Sequence, residues 1–534
     1  MNQMTTPPRI EIIPANAPFS ETQRLWLNGF LVGMLGLDGT TPLSPEQTSA
    51  LLEPAGGGDD GEAPWHDQTI PIADRMKLAE GRPLRRRMMA AMAQQDCGQC
   101  GYNCNDYSDA IASKSEARLN LCIPGGKETA RMLKSLYEEL DKAPAAAPSA
   151  AITPAVAVST AMAEPGRSRD NPIAATFASR RLLNKQGSEK ETWHIDFDLA
   201  ASGLDYVVGD SFGIFAKNHL GLVDQIIALL GASHATEVRG KTLRDVLTED
   251  VSLSPAPDSL FELFSYLTGG AQREKARSLA QGEDPDGDAA TLDVMAVLQK
   301  FANVHPHPEA FVEALEPLQP RLYSISSSHN ATPGKLSLTV DCVRYVVGKR
   351  KRLGLASTFL AERINPGDEV KVYVQKAHGF ALPPNPKTPI IMIGPGTGIA
   401  PFRAFLLDRK ATGAQGKNWL FFGHQRSDCD FFYADELNAM KTSGLLTRLS
   451  LAWSRDGTKK FYVQDRMREV GRELWTWLAE GANIYICGDA KRMAKDVERT
   501  LVDIVAQFGA RSTDEAVSFV GELKKKGRFQ QDVY

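Results

Sequence analysis

The stretch IIMIGPGTGIAPFRAFL, residues 390–406, is the feature that most restricts what this chain can fold into. An apolar run ends in glycines at 394, 396 and 398, and an amphipathic segment follows with Pro401 near its start. That order predicts a strand, a tight turn and a helix. The same rhythm returns at NWLFFG, LSLAWS and NIYICG, with helical segments between them. One such segment, 491–508, carries Met493, Val497, Leu501 and Ile504 on one face and meets Gly509 as a C-cap. Residues 386–534 are therefore expected to form an α/β nucleotide-binding domain. In it, Gly394, Gly396, Thr397 and Gly398 let backbone amides reach a pyrophosphate. An ordinary tight turn uses the same residue types, so the reading rests on the strand before the turn and on IYICGD after it.

Upstream, the periodicity changes. AATFASRRLL, TWHIDFDLA, YVVGDSFGIFA, RLYSISS, KLSLTVDCVRYVV and EVKVYVQ alternate or are rich in β-formers. Their spacing predicts an antiparallel barrel over 171–385, interrupted by a helical insertion at about 220–310. Within it, RLYSISSS (residues 321–328) places an Arg beside a Tyr and a Ser. Arg321 can clasp a pyrophosphate, Tyr323 can pack on an isoalloxazine, and Ser324 can stand by the atom that receives hydride. GLASTFLAERI, residues 354–364, opens on small residues and turns helical, so its free N–H groups offer an anion site. Alone, R-x-Y-S is an ordinary strand; ahead of a small-residue helix start and a Gly-rich turn, it is a flavin signature.

Four of the seven cysteines crowd between 97 and 122, in DCGQCGYNCNDYSDAIASKSEARLNLCIPGG. Cys97, Cys100, Cys104 and Cys122 can converge on one centre, either a [4Fe–4S] cluster or tetrahedral zinc. A basic helix, 82–95, leads into them, and another helix is expected over 129–141. Residues 81–142 thus read as a small α-helical domain. Residues 143–170 are rich in Ala, Pro, Ser and Thr and read as a tether. Before residue 81, an amphipathic helix is predicted at 22–36, with apolar rows Leu27, Leu31, Leu35 and Trp26, Phe30, Met34. That helix can dock a partner or drive homo-oligomer formation, or pack on its own domain.

With 534 residues, the chain exceeds one hydrophobic core. Its net charge of −4 argues against a nucleic-acid partner. The most apolar stretch, LWLNGFLVGML, is too short to span a membrane. No basic start and apolar run mark a signal peptide. The expected location is the cytoplasm, where disulfides are uncommon, so the cysteine cluster calls for a metal reading. Cys342 and Cys429 are read as small hydrophobes.

Three resemblances follow from these motifs. CGQCGY…NLCIPGG resembles the four-cysteine iron–sulfur domain of ion-pumping electron-transport subunits and corrinoid proteins, which tips the metal reading to iron–sulfur. Residues 171–534 resemble the FAD and NADPH modules of sulfite reductase flavoprotein alpha subunits. More distantly, they are similar to cytochrome P450 reductase and other diflavin reductases. The shared text is RLYSISSS, LTVDCVRY, GLAS, IGPGTGIAPFRAFLLDR, NWLFFG, LAWSRD, FYVQDRM, IYICGDAKRMAKDV and QQDVY. The implied fold class is a multidomain, ferredoxin–NADP reductase-like chain with an iron–sulfur domain in front. Related alpha subunits carry an FMN-binding flavodoxin domain there, and this sequence shows no counterpart.

The resemblance implies FAD contacts at Arg321, Leu322, Tyr323 and Ser324, at Thr339, Val340 and Asp341, at Tyr345, and at Gly354, Leu355, Ala356 and Ser357. It implies that Tyr534 covers the flavin and moves aside for nicotinamide, and that Ser324, Cys487 and Asp532 orient hydride transfer. For the 2′-phosphate that separates NADPH from NADH, Arg455 and Lys460 supply charge. Ser454 and Gln464 can bond the phosphate, and Tyr462 can face the adenine; a solvated turn is the plainer alternative. Asp496 is carried over by resemblance. The implied route runs from NADPH to FAD, then singly through the cluster to a sirohaem sulfite reductase beta subunit that makes sulfide. The competing expectations are a zinc-tethered NADPH–FAD diaphorase, or a nitrite, nitrate or haem-oxygenase partner.

Overall fold

The structure is a computed structural model, and it describes residues 63–66, 70–95, 100, 102–142, 164–377, 379–490 and 492–534. The predicted helix at 22–36, Cys97, and the tether as far as residue 163 lie outside the described residues. So does Lys491.

Four helices build the cysteine lobe: α1 (Ile72–Leu78), α2 (Leu84–Ala91), α3 (Cys104–Ala112) and α4 (Gly126–Lys142). The predicted 82–95 helix is shorter than expected because Pro83 precedes it and Gln94 takes a positive φ of 60°. Asn103 caps α3, its side-chain oxygen accepting from the Asp106 amide at 2.7 Å. Met88, Met89, Met92, Ile111, Leu121, Leu133 and Leu136 fill the lobe's core, and Cys100, Cys104 and Cys122 are buried among them.

An antiparallel sheet follows, made of β1 (Ile173–Leu182), β2 (Thr192–Asp198), β3 (Ser211–Ile214), β4 (Arg321–Ser324), β5 (Lys335–Asp341) and, later in the chain, a strand at Glu369–Gln375. Between β5 and that last strand lies a hairpin, β6 (Arg344–Val347) and β7 (Arg350–Leu353), so Glu369–Gln375 is β8. KLSLTVDCVRYVV is thus two strands and not one; the chain breaks pairing after Asp341 and reverses at Gly348, whose φ is +60°. The sheet order is β4-β3-β8-β1-β2-β5. An isolated bridge between Ile325 and Leu338 brings its two ends together. Phe177, Phe197, Phe212, Leu338 and Val372 pack inside. Between β3 and β4, six helices form a separate apolar core: α5 (Leu220–Leu230), α6 (Leu243–Glu249), α7 (Asp258–Leu267), α8 (Gly270–Ala280), α9 (Val294–Lys300) and α10 (Pro308–Glu313).

The last third is a five-stranded parallel sheet of β9 (Ile390–Ile393), β10 (Asn418–His424), β11 (Arg448–Trp453), β12 (Asn483–Gly488) and β13 (Phe529–Val533). Its order, β11-β10-β9-β12-β13, reverses beside β9, and such a switch point opens a crevice at the strands' carboxyl ends. The three central strands, β10, β9 and β12, are buried on both faces, as their near-continuous apolar runs require. The Gly-rich turn leads into α11 (Ala400–Ala411), with Pro401 in its first turn. Sequence reading overlooked the helix at Thr513–Lys525, capped by Ser512 and Glu515.

Candidate functional site

A cavity of about 860 Å³ opens where the antiparallel sheet, its helical insertion and the parallel sheet meet. Arg321, Leu322, Tyr323 and Ser324 enter it from β4, and Thr339 and Asp341 from β5. Tyr345 reaches it from β6, and Gly354 to Ser357 from the turn after β7. Thr397, Asp532 and Tyr534 complete it from the parallel domain. Val340 points the other way, into the sheet's interior core, as strand alternation demands.

The chemistry of the walls suits a dinucleotide. Arg321 spends one nitrogen on the Gln319 and Pro320 carbonyls, at 2.9 and 3.4 Å. Burial holds its guanidinium below the usual range. Arg363, which sequence reading missed, lies in the same wall. Its nitrogens donate to the Lys217 and Leu355 carbonyls, both at 2.7 Å, and burial lowers it to about 10. Guanidiniums bonded only to backbone carbonyls retain charge for an anion. The insertion's share was also missed: Asn218, His219 and Gln225 line the cavity from around α5. No motif marked them, because an insertion contributes by position and not by pattern.

At the cavity's inner end, the β12–β13 register sets Cys487 beside Asp532. Ser324 donates to the Asp532 carboxylate at 2.5 Å, and the Cys487 thiol donates to the same oxygen at 3.7 Å. Burial pushes the Asp532 carboxyl up, against the pull of both bonds. It pushes the Cys487 thiol well up too, so that sulfur stays protonated. Tyr534 ends the chain half exposed, with its amide on the Gly488 carbonyl at 3.0 Å and its hydroxyl on Thr397 at 2.7 Å. The last residue is therefore docked and not frayed.

The Gly-rich turn lies directly against this triad. A Cβ on Gly398 would fall 2.1 Å from the Cys487 carbonyl, so only glycine allows the turn to approach β12. Gly396 needs its φ of +60°, and Gly394 packs on Phe402. Ser454, Arg455 and Lys460 occupy the loop after β11, at the sheet's carboxyl edge, and Tyr462 caps α12 (Val463–Glu469), whose second residue is Gln464. Arg455 pairs with Glu189 at 2.5 Å, and Lys460 is exposed. Asp496 lies in the first turn of α13 (Met493–Phe508), the helix against which α12 packs.

In the cysteine lobe, Cys100, Cys104 and Cys122 are about 8% exposed each and line one small pocket with Met92, Tyr107 and Pro124. Burial raises the thiols of Cys122 and of Cys100, the latter to about 11. Among the described residues, no group of three or more His, Cys, Asp or Glu is in place to hold a metal ion. The donor set at the pocket is purely thiol, which suits iron–sulfur or zinc and not a hard cation. Cys342 and Cys429 are buried, as expected of small hydrophobes. Among the described residues, no helix is long and apolar enough to cross a membrane.

Comparison with known proteins bears on both large domains. The FAD binding domain model matches residues 165–296 and 242–359, and the Oxidoreductase NAD-binding domain model matches 392–499. The chain is 42% identical over 437 residues to a sulfite reductase [NADPH] flavoprotein alpha-component of Klebsiella pneumoniae, covering 80% of this chain and 71% of that protein. It is 43% identical over 367 residues to the namesake from Photorhabdus laumondii, with 68% and 61% covered. An Escherichia coli counterpart gives 42% over 403 residues, with 74% and 65% covered. The chain thus spans about two-thirds of the length of these relatives. It belongs to the family of sulfite reductase [NADPH] flavoprotein alpha-components.

Proposed function

We propose that this chain takes electrons from NADPH onto FAD and hands them on singly, through a [4Fe–4S] centre, to a sirohaem sulfite reductase beta subunit. The overall chemistry is assimilatory reduction of sulfite to sulfide in the cytoplasm. The observation that carries the reading is the cavity in which RLYS, GLAS, the Ser324–Asp532–Cys487 group and the docked Tyr534 converge.

The antiparallel sheet would act as the barrel that holds FAD, the parallel domain would hold NADPH, and the 81–142 domain the cluster. Bound FAD supplies a two-electron acceptor that can be emptied one electron at a time. Arg321, Arg363 and the amides at Gly354 to Ser357 would hold its pyrophosphate. Tyr323 would back the ring, and Tyr534 would cover the other face until nicotinamide displaces it. Ser324, Asp532 and Cys487 would fix the hydrogen-bonding partners beside the reacting atoms, with burial pushing the Asp532 carboxyl up from its ordinary range. Gly394 to Gly398 would cradle the NADPH pyrophosphate, and Ser454, Arg455, Lys460 and Gln464 its 2′-phosphate. Asp496 would join the NADPH site from the first turn of α13, as the family match implies.

A four-thiolate centre supplies a one-electron carrier. Cys97, Cys100, Cys104 and Cys122 would hold it, and the apolar shell of Met88, Met92 and Leu121 would keep water from it. NADPH oxidation measured with and without purified sirohaem subunit and sulfite tests the whole reading. Sulfite-dependent turnover supports it. Turnover with artificial acceptors alone would leave a diaphorase.

A further inference from the structure

The register of the antiparallel sheet runs straight from the flavin cavity to the cysteine lobe. Across the neighbouring strands β4, β3 and β8, Ser324 faces Ser211, which faces Gln375; Leu322 faces Gly213, which faces Tyr373. Phe212, Ile214, Val372 and Val374 fill the sheet's interior, so Ser211, Gly213, Tyr373 and Gln375 lie on its outer face. Leu322, Ser324 and Ser211 line the cavity. Two strand spacings, about 10 Å, separate the first residue of each row from the last.

Both rows end at the lobe. Tyr373 is fully buried, and its hydroxyl has no hydrogen-bond partner among the described residues. Its ring covers Gly213, where a Cβ would come within 2.1 Å of it, so only glycine admits the contact. Burial pushes the Tyr373 phenol up, and Arg169, Cys100 and Asp170 are the groups that modulate it. Gln375 and Ser211 share a cleft with His66, Gln94 and Gln95 of the lobe, and Gln95 also lines the thiol pocket.

The lobe is fastened to the helical insertion, and to the segment before β1, by charge. Arg131 grips Asp258 of α7 with two nitrogens, at 2.7 and 2.9 Å. Lys127 stands 3.4 Å from the same carboxylate and lies over the Phe261 ring at 5.2 Å. Arg118 reaches Asp170 at 3.5 Å.

Resting on the iron–sulfur reading above, we propose that the lobe works from this docked position, and that the outer face of β4–β3–β8, with Tyr373 over Gly213, is the electron bridge between flavin and cluster. One electron crosses at a time, oxidising the flavin by one and reducing the centre by one. Two crossings, between which the centre passes its first electron on to the partner subunit, release as a proton the hydrogen that arrived as hydride. Tyr373 is a positioning residue: it closes the gap that an electron would otherwise have to cross, and no excursion on the tether is needed for this step.

The test uses anaerobic holoenzyme treated with a carbodiimide, which joins Lys127 to Asp258 without a spacer. Peptide mapping should find that link, and its absence would overturn the docked position. In linked protein mixed with NADPH, iron–sulfur bleaching should keep its rate within about twofold, and slowing of about tenfold or more would show that the lobe must leave. Tyr373→Phe should keep the rate, whereas Tyr373→Ala should slow iron–sulfur bleaching about tenfold with flavin bleaching and iron content unchanged. An unslowed Tyr373→Ala would remove Tyr373 from the route. Protein with no iron at the thiols would sink the underlying reading, and this inference with it; iron-loaded but inert linked protein would sink the inference alone.

Discussion

The flavin cavity and the thiol pocket are built by opposite strategies. The cavity draws its walls from segments up to more than three hundred residues apart, carried by sheets and an insertion with large cores of their own. Removing a ligand from it would leave the walls standing. The thiol pocket is cut into a small helical core in which the cysteines are themselves core residues. A lobe of that size has little apolar area to spare, so its ligand and its stability are one question.

That contrast is broken most sharply by Cys104→Ser. The variant should lose its iron and the lobe's cooperative unfolding while keeping FAD and NADPH-driven reduction of an artificial acceptor; iron and flavin assays with calorimetry check this. Simultaneous loss of flavin would show that the two regions fold as one. Next in size, Asp532→Asn should slow hydride transfer by about 100-fold with FAD content unchanged, as read by stopped-flow flavin bleaching.

Smaller still, Arg455→Ala should raise the KM for NADPH about tenfold and leave that for NADH where it is. Steady-state kinetics with both nucleotides decide it; an equal shift for both would make Arg455 only the partner of Glu189. The smallest effect is on the lobe's acid stability. The bonds from Arg118 hold Glu116 at about 2, below its ordinary 4.5. A depressed carboxylate stabilises fully above its unfolded pKa, and that contribution is lost as pH falls through the folded one. The lobe should therefore weaken between about pH 4.5 and 2. Glu116→Gln should flatten that slope in circular dichroism titrations, with a change on the order of 1 kcal/mol.

The two regions were also legible to different degrees. The parallel domain could be read almost whole, because its strands are continuous apolar runs and Gly398 stands where no side chain fits. RLYS and GLAS marked the cavity because the required residue types fall in short strings. Arg363, Asn218 and His219 were hidden, since each reaches the cavity only through the path of a helix or insertion. The hairpin at β6–β7 was hidden by β-formers running through Cys342 and Val343 without a strong break. In the lobe, spacing named the thiols, but it could not show that Gln95, which lines their pocket, shares a cleft with Ser211 and Gln375 of the sheet.

Low-temperature electron paramagnetic resonance on anaerobic protein, before and after NADPH, addresses the central claim. The account predicts that NADPH alone produces the signal of a reduced iron–sulfur centre in a protein that also bleaches its flavin. Bleached flavin with no such signal, and zinc or no metal at the cysteines, would contradict it.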